Sequence, residues 1–85
     1  MYLNLGGGTV VDEKNVVGIF DLDITSQSYI TRKYLSDAEK RGEIINTAED
    51  IPKTYVICEE KGKKTVFLCQ PATGTLLKRA ESGII

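Results

Sequence analysis

The sequence predicts an α+β domain: a small curved antiparallel β-sheet with one main amphipathic helix and a short C-terminal helix, in the order ββ(β)–α–β–ββ–short α. Three observations lead there. Residues 54–70 (TYVICEEKGKKTVFLCQ) hold two β-branched and aromatic runs around a polar Lys61-Gly62 tip, the sequence form of a β-hairpin. Residues 27–41 carry apolar side chains at four-residue steps, the signature of a helix with one buried stripe. A Gly6-Gly7-Gly8 triplet divides two short extended runs near the start.

Taken in order, Tyr2-Leu3-Asn4-Leu5 alternates as a strand does, the glycines reverse the chain, and Thr9-Val10-Val11 resumes extended structure. The triplet lacks the GxxxxGK[ST] pattern and is followed by a strand, so it reads as a turn and not a phosphate cradle. Asp12-Glu13-Lys14-Asn15 is a polar connector. Residues 16–22 (VVGIFDL) form a central strand, with Gly18 marking a bulge or a close backbone approach. Asp21 and Asp23 share a side, as a metal-binding pair would. Helix-start chemistry explains the segment better, because Asp23, Thr25 and Ser26 are all good N-caps and no third ligand is near. In the helix, Ile30, Tyr34 and Ala38 recur with Leu35 beside them, and Lys33–Asp37 and Asp37–Arg41 are available as i,i+4 pairs. Lys40 and Arg41 suit the negative end of the helix dipole, and Gly42 supplies the left-handed stop. Residues 43–47 are another short strand, and 48–52 a loop in which Pro52 holds Ile51 extended. After the hairpin, Thr73 caps a terminal helix holding Leu76, Leu77 and Ala80, with Lys78 and Arg79 facing outward and a frayed tail.

The hairpin carries the strongest constraint. With Lys61-Gly62 as the turn, Glu60 pairs with Lys63 and Val56 lies opposite Phe67. Val56, Cys58, Phe67 and Cys69 then share one face, and Tyr55, Ile57, Val66 and Leu68 the other. Both faces are apolar, so both require covering. One amphipathic helix covers one face. The face with Tyr55, Ile57, Val66 and Leu68 is expected to lack an internal cover and to form the interface of a homo-oligomer.

At 85 residues, 41% hydrophobic and 27% charged, the chain is one globular domain of modest stability. It has no apolar run near the roughly 18 residues of a membrane span, nor a basic-then-apolar signal pattern at its start, so no membrane association and a cytoplasmic location are expected. The hairpin register puts Cys58 opposite Thr65 and Cys69 opposite Thr54, beyond disulfide reach, which leaves two buried free thiols. The chain has no histidine and no CxxC pair, so neither a metal nor a cofactor is expected. No nucleophile–base constellation can be drawn, so no enzyme is expected either. The Glu59-Glu60 pair at the hairpin tip is explained by solvation, and Tyr29 and Tyr34 by packing.

Binding is left. The net charge of −1 hides an uneven distribution, since residues 61–79 hold five basic residues and no acidic one. The candidate cations are Lys14 in the connector, Lys53 before the hairpin, Lys61, Lys63 and Lys64 at its tip, and the helix cations Arg32, Lys33, Lys40 and Arg41. Each lysine alone is explained by solubility or edge protection. Repetition of Lys14 and Lys53 along the rim of a ring or dimer would instead track a phosphate backbone, because affinity grows with the number of phosphates neutralised.

Several segments together resemble one family: Leu5-Gly6-Gly7-Gly8-Thr9-Val10-Val11, VVGIFDLD at 16–23, Asp37-Ala38-Glu39-Lys40-Arg41-Gly42, and Gln70-Pro71-Ala72-Thr73 ahead of Leu76-Leu77-Lys78-Arg79. Their order and spacing are similar to those of the RemA/RemB proteins, small bacterial regulators of extracellular matrix (biofilm) genes, over nearly the whole chain. MYLNLG and GIFD look closer to the RemB branch. The resemblance implies a LytTR-like fold, a homo-oligomeric ring and transcriptional regulation through DNA binding. RemA-like members carry an arginine in the early connector and two adjacent arginines ahead of the hairpin. Here those positions fall on Asn15, beside Lys14, and on Ile51 and Pro52, followed by Lys53. Lys14, Asn15 and Lys53 are thus the expected DNA-binding residues, without arginine's bidentate fork. An oligomeric scaffold without direct DNA contact is the alternative.

Overall fold

The computed structural model describes residues 2–22 and 28–82. Strands β1 (Tyr2–Gly6) and β2 (Thr9–Asp12) pair antiparallel as a sheet of their own. A 3-10 turn (Glu13–Asn15) leads into β3 (Val16–Asp21), followed by helix α1 (Tyr29–Lys40) and β4 (Ile44–Asn46). The hairpin is β5 (Thr54–Glu60) and β6 (Lys63–Cys69), and helix α2 (Thr73–Ser82) follows it. The second sheet has the order β3-β5-β6-β4.

The hairpin has the register its sequence predicts, with Glu60 opposite Lys63, Val56 opposite Phe67, Cys58 opposite Thr65 and Thr54 opposite Cys69. Lys61 (φ 53°) and Gly62 (φ 80°) are both left-handed, as in the type I′ turn whose twist matches the flanking strands. Cys58 and Cys69 are free and buried.

The expected all-antiparallel sheet becomes two sheets, one of them mixed. β4 runs parallel to β6 because the chain reaches it from β3 through a helical crossover, which returns it in the same direction. β3 and β4 are the two outer strands, so β3 is an edge and not the central strand expected. The connecting helix must therefore cross the whole sheet, and it lies over the face bearing Tyr55 and Val66.

That crossover corrects the oligomer argument. Tyr55 is 5% exposed and Val66 fully buried, enclosed with Ala38, Tyr34, Leu35, Phe20, Leu22 and Ile44 of the same chain. Ile57 and Leu68 are half-buried against the same cluster. The opposite face is covered by β1, β2 and α2, which close Leu3, Leu5 and Leu76 over Val56, Cys58 and Cys69. A two-stranded ribbon plus a ten-residue helix supplies the second cover, so neither face waits for another copy. Tyr55 and Val66 are thus core residues of the chain, with Ile57 and Leu68 packed half-buried beside them.

A bulge makes β3 serve both cores. Pairing shifts between Val16↔Cys58 and Gly18↔Ile57, so Val16 and Ile19, three positions apart, both face the Leu3–Leu5–Leu76 cluster. Val17 is thrown outward and is 61% exposed. Gly18 also allows a close approach: a Cβ there would sit 2.6 Å from the Phe20 ring, which stacks on Tyr55 at 4.9 Å.

Helix α1 is capped by Ser28, whose hydroxyl accepts from Thr31 N–H at 3.5 Å. The expected caps Asp23, Thr25 and Ser26 lie outside the described residues. Ala38 is buried, with Tyr34 and Leu35 packed beside it, but Ile30 is 78% exposed and not part of the stripe. The helix is anchored through its C-terminal half against β4, and its first turn projects beyond the core. Gly42 (φ 72°) ends it, and Glu43 N–H closes on Ala38 C=O at 2.9 Å. Arg41 pairs with Glu43 at 3.1 Å, in place of the expected Asp37.

The loop between β4 and β5 is pinned to the end of β6. Thr47 donates from both N–H and hydroxyl to Leu68 C=O, each at 2.9 Å, and Lys53 N–H reaches Cys69 C=O at 2.9 Å. Arg79, expected to face outward, turns back to Asn4 C=O at 3.0 Å and ties α2 to β1. Among the described residues no helix is long and apolar enough to cross a membrane.

Candidate functional site

Lys14 and Asn15 sit on the 3-10 turn between the two sheets. Asp12 builds this turn: its carboxylate accepts from Lys14 N–H at 3.1 Å and meets Lys14 Nζ at 3.6 Å. The Lys14 side chain remains 80% exposed. An ion pair this exposed contributes well under about 1 kcal/mol, so the amine can leave it for a better anion.

The turn lies against the distal end of β5, and together they border a cleft of about 390 Å³. Phe67, Cys58 and Val11 give its apolar lining, Lys14, Asn15 and Lys63 its cationic and polar rim, and Asp12 and Glu60 its acidic one. On the far side of β6, Arg41, Glu43, Ile45, Lys63, Lys64 and Thr65 border a second depression of about 300 Å³. The hydrogen bond to Glu43 raises the pKa of the exposed Arg41 guanidinium, whose charge is permanent in any case.

Lys53 is elsewhere. It precedes Thr54, which pairs with Asp21, whereas Asn15 adjoins the Val16–Cys58 pair at the other end of β5. Five steps of strand separate the two places, about 17 Å at the usual rise. Within one protomer the structure therefore joins Lys14 and Asn15 to Lys63, and leaves Lys53 apart. Of the hairpin-tip lysines, secondary in the sequence reading, Lys63 becomes part of the principal cluster and Lys64 borders the second depression. The hairpin register places Lys63 and Lys64 opposite Glu60 and Glu59, but only the Val16–Cys58 pairing brings Lys63 to Lys14 and Asn15.

No family model matches this chain, and no curated protein matches it at a significant level.

The glycine triplet does not form an anion site. Its turn borders a third depression with Glu49 and Asp50, and Gly7 stands against the carbonyl of Thr47. The thiols are poor nucleophiles: burial pushes Cys58 up and Cys69 up to about 11. Among the described residues no three His, Cys, Asp or Glu side chains converge on a metal position. What the cluster offers is surface cations on a rigid frame, suited to contacting phosphate.

Proposed function

We propose that the chain is a RemA/RemB-like bacterial regulator that binds DNA without catalysis, mainly through phosphate contacts, and does so as a homo-oligomer. The observation that carries this reading is the exposure of Lys14 on a turn fixed by Asp12, next to Asn15 and Lys63 at one end of the sheet. A lysine on a rigid turn loses little backbone entropy on contact, and each phosphate it neutralises releases a counterion. With both sheet faces covered internally, copies would meet through apolar side chains left outside: Tyr2 and Val10 on the β1–β2 ribbon and Val17 at the bulge, 55%, 46% and 61% exposed.

A gel-shift titration with promoter DNA at rising salt tests the reading. Binding is expected to fall steeply with salt, and to fall further in Lys14→Glu. Absence of any shift at low salt would remove it. Light scattering tests assembly: Val10→Glu with Val17→Glu is expected to lower the molar mass, and a wild-type monomer at micromolar concentration contradicts the oligomer. The alternative, a scaffold without DNA contact, is favoured by one specific observation. Lys53 stands at the opposite end of β5 from Lys14, so the two form no continuous phosphate track on a single protomer.

A further inference from the structure

The β5–β6 hairpin is longer than the sheet that holds it. The β3 ladder ends at Cys58, and the β4 ladder begins at Val66. From Cys58 to the turn at Lys61 is three strand steps, about 10 Å of two-stranded ribbon without a neighbouring strand on either edge. All six residues from Glu59 to Lys64 are exposed. Glu59 faces Lys64 and Glu60 faces Lys63 across the ribbon, yet no ion pair within 4 Å joins these residues. Only the Glu13–Asn15 turn lies beside this end, on the β5 side, and the tip stands clear of both neighbouring strands.

We infer that this ribbon end enters the major groove of duplex DNA, with Lys61, Lys63 and Lys64 as its phosphate and guanine contacts. The inference rests on the DNA-binding reading above and names the element that makes the contact. The dimensions agree: a major groove is about 12 Å wide and about 8.5 Å deep and admits a two-stranded ribbon, and a 10 Å overhang reaches its floor. The two shoulders carry cations at the right level, Lys14 with Asn15 on one face and Arg41 on the other. They meet the phosphates that border the groove. The glutamates fit the same place. A purely phosphate-tracking surface would exclude Glu59 and Glu60, whereas a groove reader uses carboxylates to accept from the cytosine amino group. Duplex RNA is the poorer partner, because its major groove is deep and too narrow for side chains to read.

The test uses the full-length chain and a fluorescently labelled duplex selected from a random library. Lys61→Ala/Lys63→Ala/Lys64→Ala is expected to weaken binding at least roughly tenfold and to reduce the slope of log affinity against log salt by about 2 to 3. All three positions are exposed, so the circular dichroism spectrum should match wild type. Methylation of guanine N7 in the selected site should block binding, and Glu60→Gln should alter the selected sequence. Wild-type affinity in the triple variant, indifference to N7 methylation, or preference for the matching RNA duplex would each overturn the ribbon while leaving DNA binding in place. Failure of the wild-type chain to bind any duplex at low salt would instead overturn the underlying reading, so the two failures are distinguishable.

Discussion

Gly7 and Gly8 adjoin in one turn, both have positive φ, and they differ in what a methyl group would meet. A Cβ at Gly7 (φ 59°) would lie 2.4 Å from the Thr47 carbonyl oxygen, and one at Gly8 (φ 80°) would meet nothing within 4 Å. Gly8→Ala therefore carries the conformational cost alone, roughly 1–2 kcal/mol. Gly7→Ala carries that cost and must also displace a backbone oxygen. Thr47 cannot yield freely, because its N–H and hydroxyl both hold Leu68 C=O at 2.9 Å. Loss or stretching of two such bonds adds about 1–3 kcal/mol. The expected total at Gly7 is about 2–5 kcal/mol, about 2 kcal/mol beyond Gly8. For a domain of this size that difference corresponds to about 10 °C or more in melting temperature. Urea denaturation followed by circular dichroism measures both variants. Equal losses at the two positions would refute the claim that the β1–β2 turn is locked against the β4–β5 loop.

Two further outcomes follow from burial. Leu76 is fully buried between α2 and both sheets, and Leu77 is 45% exposed. Leu76→Ala should cost about 2–5 kcal/mol, a large share of a small domain's stability, and Leu77→Ala under about 1, by thermal or urea melts. Burial raises the Cys69 thiol to about 11 from its ordinary value of 9.0. Below pH 9 the thiol is protonated in both states and its contribution is intact. Between about 9 and 11 mainly the unfolded chain ionises, so stability falls as pH rises, by up to about 1.4 kcal/mol per unit. Denaturation midpoints at pH 8 to 11 should fall less steeply in Cys69→Ala than in wild type, and identical slopes would contradict the assignment.

The hairpin was legible because its signals agree: β-branched runs, a glycine in the turn and a register fixed by its length. The bulge was legible from a glycine inside an apolar strand. The two covers were not. Periodicity marks α1 as amphipathic but does not say which face of the sheet it crosses, since that depends on β3 and β4 lying at opposite edges. The alternation of Leu3 and Leu5 gives β1 a buried face, but a four-letter pattern carries no information about its packing partner. The site was half legible for the same reason. Lys14 and Asn15 are adjacent in sequence, whereas Lys63 joins them through the Val16–Cys58 pairing, a long-range contact that residue types do not announce.

Internal covering of both hairpin faces changes what the proposed assembly would be for. A protomer that buries Leu3, Leu5, Leu76 and Val56 on one side and Tyr55, Val66 and Ala38 on the other covers both faces of its hairpin from within. Stability then gains little from neighbours, and the melting temperature should change little over a hundredfold range of protein concentration. Affinity gains much more. One copy offers the ribbon lysines with Lys14 and Arg41, a handful of phosphate contacts at most, and such surfaces bind DNA weakly at physiological salt. Linked copies convert each later contact into an intramolecular one and raise the overall affinity by orders of magnitude with no new residue. On the proposed reading, assembly would supply avidity and not folding, and dilution should abolish DNA binding before it affects the fold.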